Sequence, residues 1–204
     1  MKISLIGPQG SGKSTLGNYL SKTYNLPLVV MGEILRNPDK YPGVREAMGD
    51  FDPHDGTLID DDRACKIAQI ALEGLPDGWI LDGLPRRIKQ YKSMLELFRP
   101  TFFIILNVSR DLSVARIQKR LQTDPRKDDA PDILLKRLDI FDKETMPVIE
   151  DIIKPSSGKR HIVINQTSDT TPSAVEDAVD AYIKVLRATG VTRDKFVSSI
   201  SPQP

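Results

Sequence analysis

The chain has a single cysteine, Cys65, in 204 residues. An internal disulfide needs two, so none can form, and a cysteine-built zinc site is disfavoured with it. Histidine is nearly as scarce, with only His54 and His161. Charge of one sign is also lacking: 29 Lys+Arg stand against 28 Asp+Glu, a net +1. That balance argues against a uniformly basic nucleic-acid surface, though not against a local basic cleft. No apolar run is long enough to span a bilayer. The first apolar stretch is too short, and too soon followed by glycines, for a secretion signal. There is no internal repeat and no low-complexity tract. Hydrophobic residues make up 39% and charged residues 28%, the balance of a globular protein. The length suits one domain with a full core. Together these absences predict a cytoplasmic enzyme or switch.

What is present alternates. Ile3 to Ile6 is a short apolar run that predicts a buried strand. Leu16, Tyr19 and Leu20 then share one helical face. Leu26 to Val30 predicts a second strand, and GEILR a helix that stops near Asn37 because Pro38 follows. Ala64, Ile67, Ala68 and Ala71 form a helical stripe ending at Gly74 and Pro76. Trp79 to Gly83 predicts a third strand, and Ile88, Tyr91, Met94, Leu95 and Phe98 the next helical face. Thr101 to Val108 is the most apolar stretch and predicts a central strand. Leu112, Ala115 and Leu121 suggest a helix to about Leu121. Ile133, Leu134, Leu138, Phe141 and Ile149 mark a long one. HIVIN, at 161–165, predicts a fifth strand, Ala174 to Leu186 a closing helix, and 189–204 a loose tail. Strands alternating with helices imply a parallel α/β sheet, whose ligands bind beyond the carboxyl ends of the strands.

The stretch GPQGSGKST sits where such a ligand would bind. Gly7 to Ser14 fits G-x-x-x-x-G-K-[ST] in full, after a strand and before a helix. Glycines let backbone N–H groups converge on phosphate oxygens with no Cβ in the way. The following helix N-terminus adds a partial positive charge. Lys13 is expected to reach the β- and γ-phosphates of a nucleoside triphosphate, and Ser14 to hold Mg²⁺. Asp82, at the end of the third strand in LDGLPRRIKQ, is placed to order that ion's water shell. Arg86 follows at once. Arg116 and Arg120 are four apart and share a helix face, and Arg126 and Arg137 come after them. Phosphoryl transfer between two nucleotides gathers many negative charges, and guanidinium groups neutralise them while holding oxygens bidentately.

Four blocks in order, GPQGSGKST, GEILR, LDGLPRRIKQ and RKDD with an arginine eleven positions after its own, resemble the adenylate kinase family of nucleoside monophosphate kinases. The resemblance runs from Met1 to about Ala188. It implies a P-loop NTPase-type three-layer sandwich with a five-stranded parallel sheet flanked by helices. A single core domain over 1–204 would carry a monophosphate-binding insertion at 30–59 and a short lid loop at 121–129. Gly10, Ser11, Gly12, Lys13, Ser14 and Thr15 would bind the ATP phosphates, and Arg116 would stack on the ATP adenine. Arg36, Arg86 and Arg137 would grip the monophosphate's phosphate. Arg120 and Arg126 would clamp the phosphates in transfer, Arg126 reaching the monophosphate as well. Gln90 would read the monophosphate base, Gly83 would lie against it, and Met31, Thr57, Leu58 and Ile59 would line its pocket. The NQTSD segment at 165–169 would approach the ATP base.

The chain departs from the family pattern in several places. Gln9 stands at the usual proline, and Ser14 at the glycine after the lysine. Met31 replaces a threonine hydroxyl that faces the base in AMP-specific members, and Leu84 replaces an aromatic. Only LQTDP separates Arg120 from Arg126, too little for a zinc-binding or hairpin lid. The expected reaction is Mg²⁺-ATP plus AMP giving two ADP. A kinase for UMP, CMP or a mixed set is the alternative, and a P-loop ATPase or assembly factor without an acceptor is the reading from another class. The expected partners are ATP and a monophosphate, with no nucleic acid, no membrane and a monomeric chain. DPHDG at 52–56 reads as a plain turn, DDD at 60–62 as a helix-start charge cluster, and Cys65 and Trp79 as core. The family resemblance implies that Asp128 and Asp129 are closure partners for the arginines, with a solvated acidic turn as the alternative.

Overall fold

The computed structural model describes residues 1–123 and 130–189. Arg126, Asp128 and Asp129, most of the expected lid loop and nearly all of the expected tail lie outside the described residues.

Five strands, β1 (Lys2–Ile6), β2 (Leu28–Val30), β3 (Trp79–Asp82), β4 (Phe102–Val108) and β5 (His161–Gln166), pair in the order β2-β3-β1-β4-β5. Every pairing is parallel. Helices cover both faces, as parallel strands joined by crossovers require. They are α1 (Lys13–Tyr24), α2 (Met31–Arg36), α3 (Val44–Met48), α4 (Asp61–Leu72), α5 (Ile88–Leu97), α6 (Arg110–Thr123), α7 (Pro131–Ile140), α8 (Met146–Ile153) and α9 (Pro172–Thr189).

Alternation along each strand divides the core. Phe102, Ile104 and Leu106 pack with Ile3, Leu5, Leu16, Leu20, Val179 and Ile183 on the α1 and α9 side. Phe103 and Ile105 point the other way, to Tyr91 of α5 and Val148, Ile149 and Ile152 of α8. Leu81 and Trp79 meet α2, α3 and α4 in a third cluster. Across α1 and α9, Tyr19 and Tyr24 donate to the two oxygens of Asp180 at 2.7 and 2.8 Å.

Two features differ from the apolar spacing. Between α2 and α4 lie a 3₁₀ turn (Pro38–Lys40) and α3, neither announced by a periodic stripe. The long helix expected around Ile133 to Ile149 is divided. A π turn, Phe141–Thr145, separates α7 from α8. Pro147, in the first turn of α8, has no N–H, and its ring crowds the preceding turn, so a regular α ladder cannot continue there.

Candidate active site

The carboxyl ends of β1, β3, β4 and β5 open on one cleft of about 840 Å³. Gly10, Ser11, Gly12, Lys13, Ser14 and Thr15 line it, with Asp82, Gly83, Arg116 and Arg120. The loop between β1 and α1 is shaped by its glycines. A Cβ on Gly7 would sit 2.5 Å from the Leu106 carbonyl oxygen, so only glycine fits there. Gly12 caps α1 with φ 89°, a left-handed value that favours glycine. No side chain caps α1, and its first turn carries no acidic residue. Its N–H groups and its dipole are left for an anion.

Lys13 is half-buried, and its ammonium turns inward to donate to the Gly7 and Pro8 carbonyls, both at 2.8 Å. Burial pulls its pKa down to about 8. The carboxylate of Asp82 opposes that fall, while the charges of Arg86 and Arg120 add to it. Ser14 donates to Asp82 Oδ2 at 3.3 Å, and Asp82 is 4% exposed. Arg116 donates to Gln166 Oε1 at 2.8 Å and Gly10 O at 3.3 Å, and Gln166 Nε2 donates to Ser11 O at 3.0 Å. The carboxyl end of β5 is thus tied to the glycine loop by the Gln166 side chain.

A smaller cavity of about 70 Å³ adjoins the cleft. Met31, Thr57, Leu58, Ile59, Leu84 and Gln90 line it. Arg36, Arg86, Arg137 and Gly83 line both spaces. Three guanidinium-bearing residues therefore stand at the junction. Met31 is 4% exposed and offers an apolar wall where a hydroxyl would offer a hydrogen bond.

Several structural partners of these residues have no sequence signal. Gln90, 2% exposed, accepts at Oε1 from the Arg86 N–H at 2.8 Å and donates from Nε2 to Asp61 Oδ1 at 2.9 Å. Thr145 of the π turn donates to the Arg86 carbonyl at 3.0 Å. The loop at 52–57 docks on α7, where Lys136 donates to Asp55 O at 2.7 Å and Arg137 to Pro53 O at 3.0 Å. Asp60, by contrast, does what a helix-start acid does: it caps α4 by accepting from the Asp62 and Arg63 N–H groups. Among the described residues no group of three His, Cys, Asp or Glu is arranged to hold a metal. None of the described helices is long and apolar enough to cross a membrane.

A parallel sheet, a glycine loop feeding a bare helix start, and a lysine beside a Ser–Asp pair define the P-loop NTPase class. Comparison with known proteins narrows it. The family model described as Adenylate kinase matches residues 5–156. The chain is 33% identical over 159 residues to a protein named Adenylate kinase from Bifidobacterium longum (strain NCC 2705), covering 74% of this chain and 84% of that one. It is 30% identical over 195 residues to one from Synechococcus sp. (strain JA-2-3B'a(2-13)), covering 92% and 98%. A relative of the same name from Xanthomonas euvesicatoria pv. vesicatoria (strain 85-10) is 32% identical over 161 residues, with 73% and 83% covered. The chain belongs to the adenylate kinase family and is a nucleoside monophosphate kinase.

Proposed function

We propose that the chain moves the γ-phosphoryl group of Mg²⁺-ATP reversibly onto AMP, giving two ADP. The observation that carries this reading is the junction, where Arg36, Arg86 and Arg137 line both the P-loop cleft and the smaller cavity. ATP would lie in the cleft, with its phosphates on the loop at 10–15 and its base near Arg116. AMP would set its base in the cavity of the proposed 30–59 insertion and its phosphate among the junction arginines, and Arg126 of the proposed lid would join them. An oxygen of the AMP phosphate attacks the γ-phosphorus, and the bond to the ADP leaving oxygen breaks. No protein group needs to form a bond. Lys13, Arg86, Arg120 and Arg137 would hold the two nucleotides in line and offset charge on the oxygens in flight.

Magnesium fits the oxygen donors present, the Ser14 hydroxyl and the Asp82 carboxylate 3.3 Å apart. With so few protein ligands, phosphate oxygens and water would complete its shell. Mg²⁺ would neutralise the triphosphate, with Ser14 as direct ligand and Asp82 acting through water. A lone cysteine fits a reducing compartment such as the cytoplasm.

One observation favours a second reading, a UMP, CMP or mixed monophosphate kinase. Met31 leaves the cavity without the hydroxyl that would help select adenine. An acceptor-free ATPase is less well supported, because it has no use for the cavity or for Gln90.

The depressed Lys13 pKa implies a pH dependence. A neutral amine attracts phosphate poorly, so ATP affinity is expected to fall about tenfold between pH 7 and 9, a fall that calorimetric titration would show and that Lys13→Arg would flatten. Stability has the opposite sign. The folded pKa lies below the unfolded one, so the cost of the buried charge is full below about 8 and is relieved as pH rises toward the unfolded value. The two-site reading itself is tested with two adenosines joined through five phosphates. That probe is expected to compete with both ATP and AMP; competition with ATP alone would overturn the reading.

A further inference from the structure

We propose that Asp61 is a positioning residue that locks the Gln90 amide in one orientation and so favours bases with adenine's hydrogen-bonding edge over bases with guanine's. This rests on the proposal that Gln90 reads the monophosphate base.

A glutamine amide has nearly the same shape either way round, so its partners decide which end is oxygen. Here two partners agree. The Asp61 carboxylate can only accept, and it takes a hydrogen from Nε2 at 2.9 Å. The Arg86 backbone N–H can only donate, and it reaches Oε1 at 2.8 Å. Asp61 is itself held, with its side chain 17% exposed and Arg87 Nη1 3.5 Å away. Arg87 in turn reaches Glu144 of the π turn at 3.4 Å. The lock therefore joins α4, the β3–α5 loop, α5 and the π turn.

These two bonds leave Gln90 one Nε2 hydrogen and one Oε1 lone pair, on a side chain that lines the cavity. A donor beside an acceptor pairs with adenine's N1 acceptor and N6 donor. Cytosine has the same edge in a smaller ring. Guanine and uracil present the reverse, a ring N–H beside a carbonyl, and would need the amide turned over. Turning it would set Oε1 against the Asp61 carboxylate and Nε2 against the Arg86 N–H. A fixed amide thus rejects the wrong edge as well as accepting the right one.

The test uses the full-length enzyme with AMP, CMP, GMP and UMP. Asp61→Ala is expected to raise the KM for AMP about tenfold and to shift kcat/KM about tenfold toward GMP and UMP. The kcat with AMP and the KM for ATP should stay within about twofold. Asp61→Asn, which keeps an acceptor oxygen, should restore selectivity. Asp62→Ala removes the same charge from the first turn of α4 without touching Gln90, and should leave selectivity alone. Adding Asp61→Ala to Gln90→Ala should change nothing further. Equal losses for all four monophosphates, or additivity with Gln90→Ala, would overturn the lock. A silent Asp61→Ala beside a raised AMP KM in Gln90→Ala would overturn the lock while sparing the base reading. An unchanged AMP KM in Gln90→Ala would overturn both.

Discussion

Lys13→Ala is expected to lower kcat/KM for phosphoryl transfer by about 10³-fold, roughly 4 kcal/mol of transition-state stabilisation, with the fold intact. The side chain contributes little to the core. Its ammonium donates to the Gly7 and Pro8 carbonyls and the Ser11 hydroxyl, all within the same loop. Its pKa is lowered to about 8, so at neutral pH the folded protein holds the charge at a cost. Removing the amine should therefore leave the melting temperature unchanged or slightly higher. The ammonium is held among phosphate-binding groups in spite of that cost, as expected of a residue kept for its charge. A coupled assay and a thermal melt on one preparation check both halves. Near-normal activity would end the phosphate-loop reading, and an unfolded variant would contradict the placement of Lys13 outside the core.

Arg86→Ala is expected to raise the monophosphate KM about 10²-fold while ATP affinity changes by no more than about threefold. Two of the contacts around this residue run through its backbone. Its N–H donates to Gln90, and its carbonyl accepts from Thr145. Both survive substitution, so the change removes mainly the guanidinium. That group lines the cavity as well as the cleft and donates from Nε to the Gly83 carbonyl at 3.1 Å. Initial-rate kinetics in both substrates, with direct ATP titration, would separate the effects. Equal losses for the two nucleotides would remove Arg86 from the monophosphate site.

Much of the site was legible in the sequence because its chemistry is local. A glycine loop between an apolar strand and a helix is written in consecutive residues, and so is the bare start of α1. The parallel sheet followed from strands alternating with helices, and the junction arginines from blocks resembling a known family. What was not legible depends on residues distant in the chain. Asp61 sits in a run of three aspartates, and as a sequence signal it cannot be told from Asp60, which only caps α4. Contact with Gln90, 29 positions on, separates them. The docking of the loop at 52–57 onto α7 brings together segments 81 and 84 positions apart, and no spacing rule announces it. The π turn was hidden because the apolar stripe runs through it, and only Pro147 marks the interruption. Met31 was visible as a departure from the family pattern, and the fold buries it on the cavity wall.

The most direct test of the central claim is a coupled assay with Mg²⁺-ATP against AMP, GMP, CMP, UMP and no acceptor, following diphosphate formation. The expected result is strong preference for AMP, two ADP for each AMP consumed, and negligible turnover without an acceptor. Preference for a pyrimidine monophosphate would mean that Met31 has reset the base pocket and would contradict AMP as the substrate. ATP hydrolysis indifferent to any acceptor would contradict phosphoryl transfer between two nucleotides altogether.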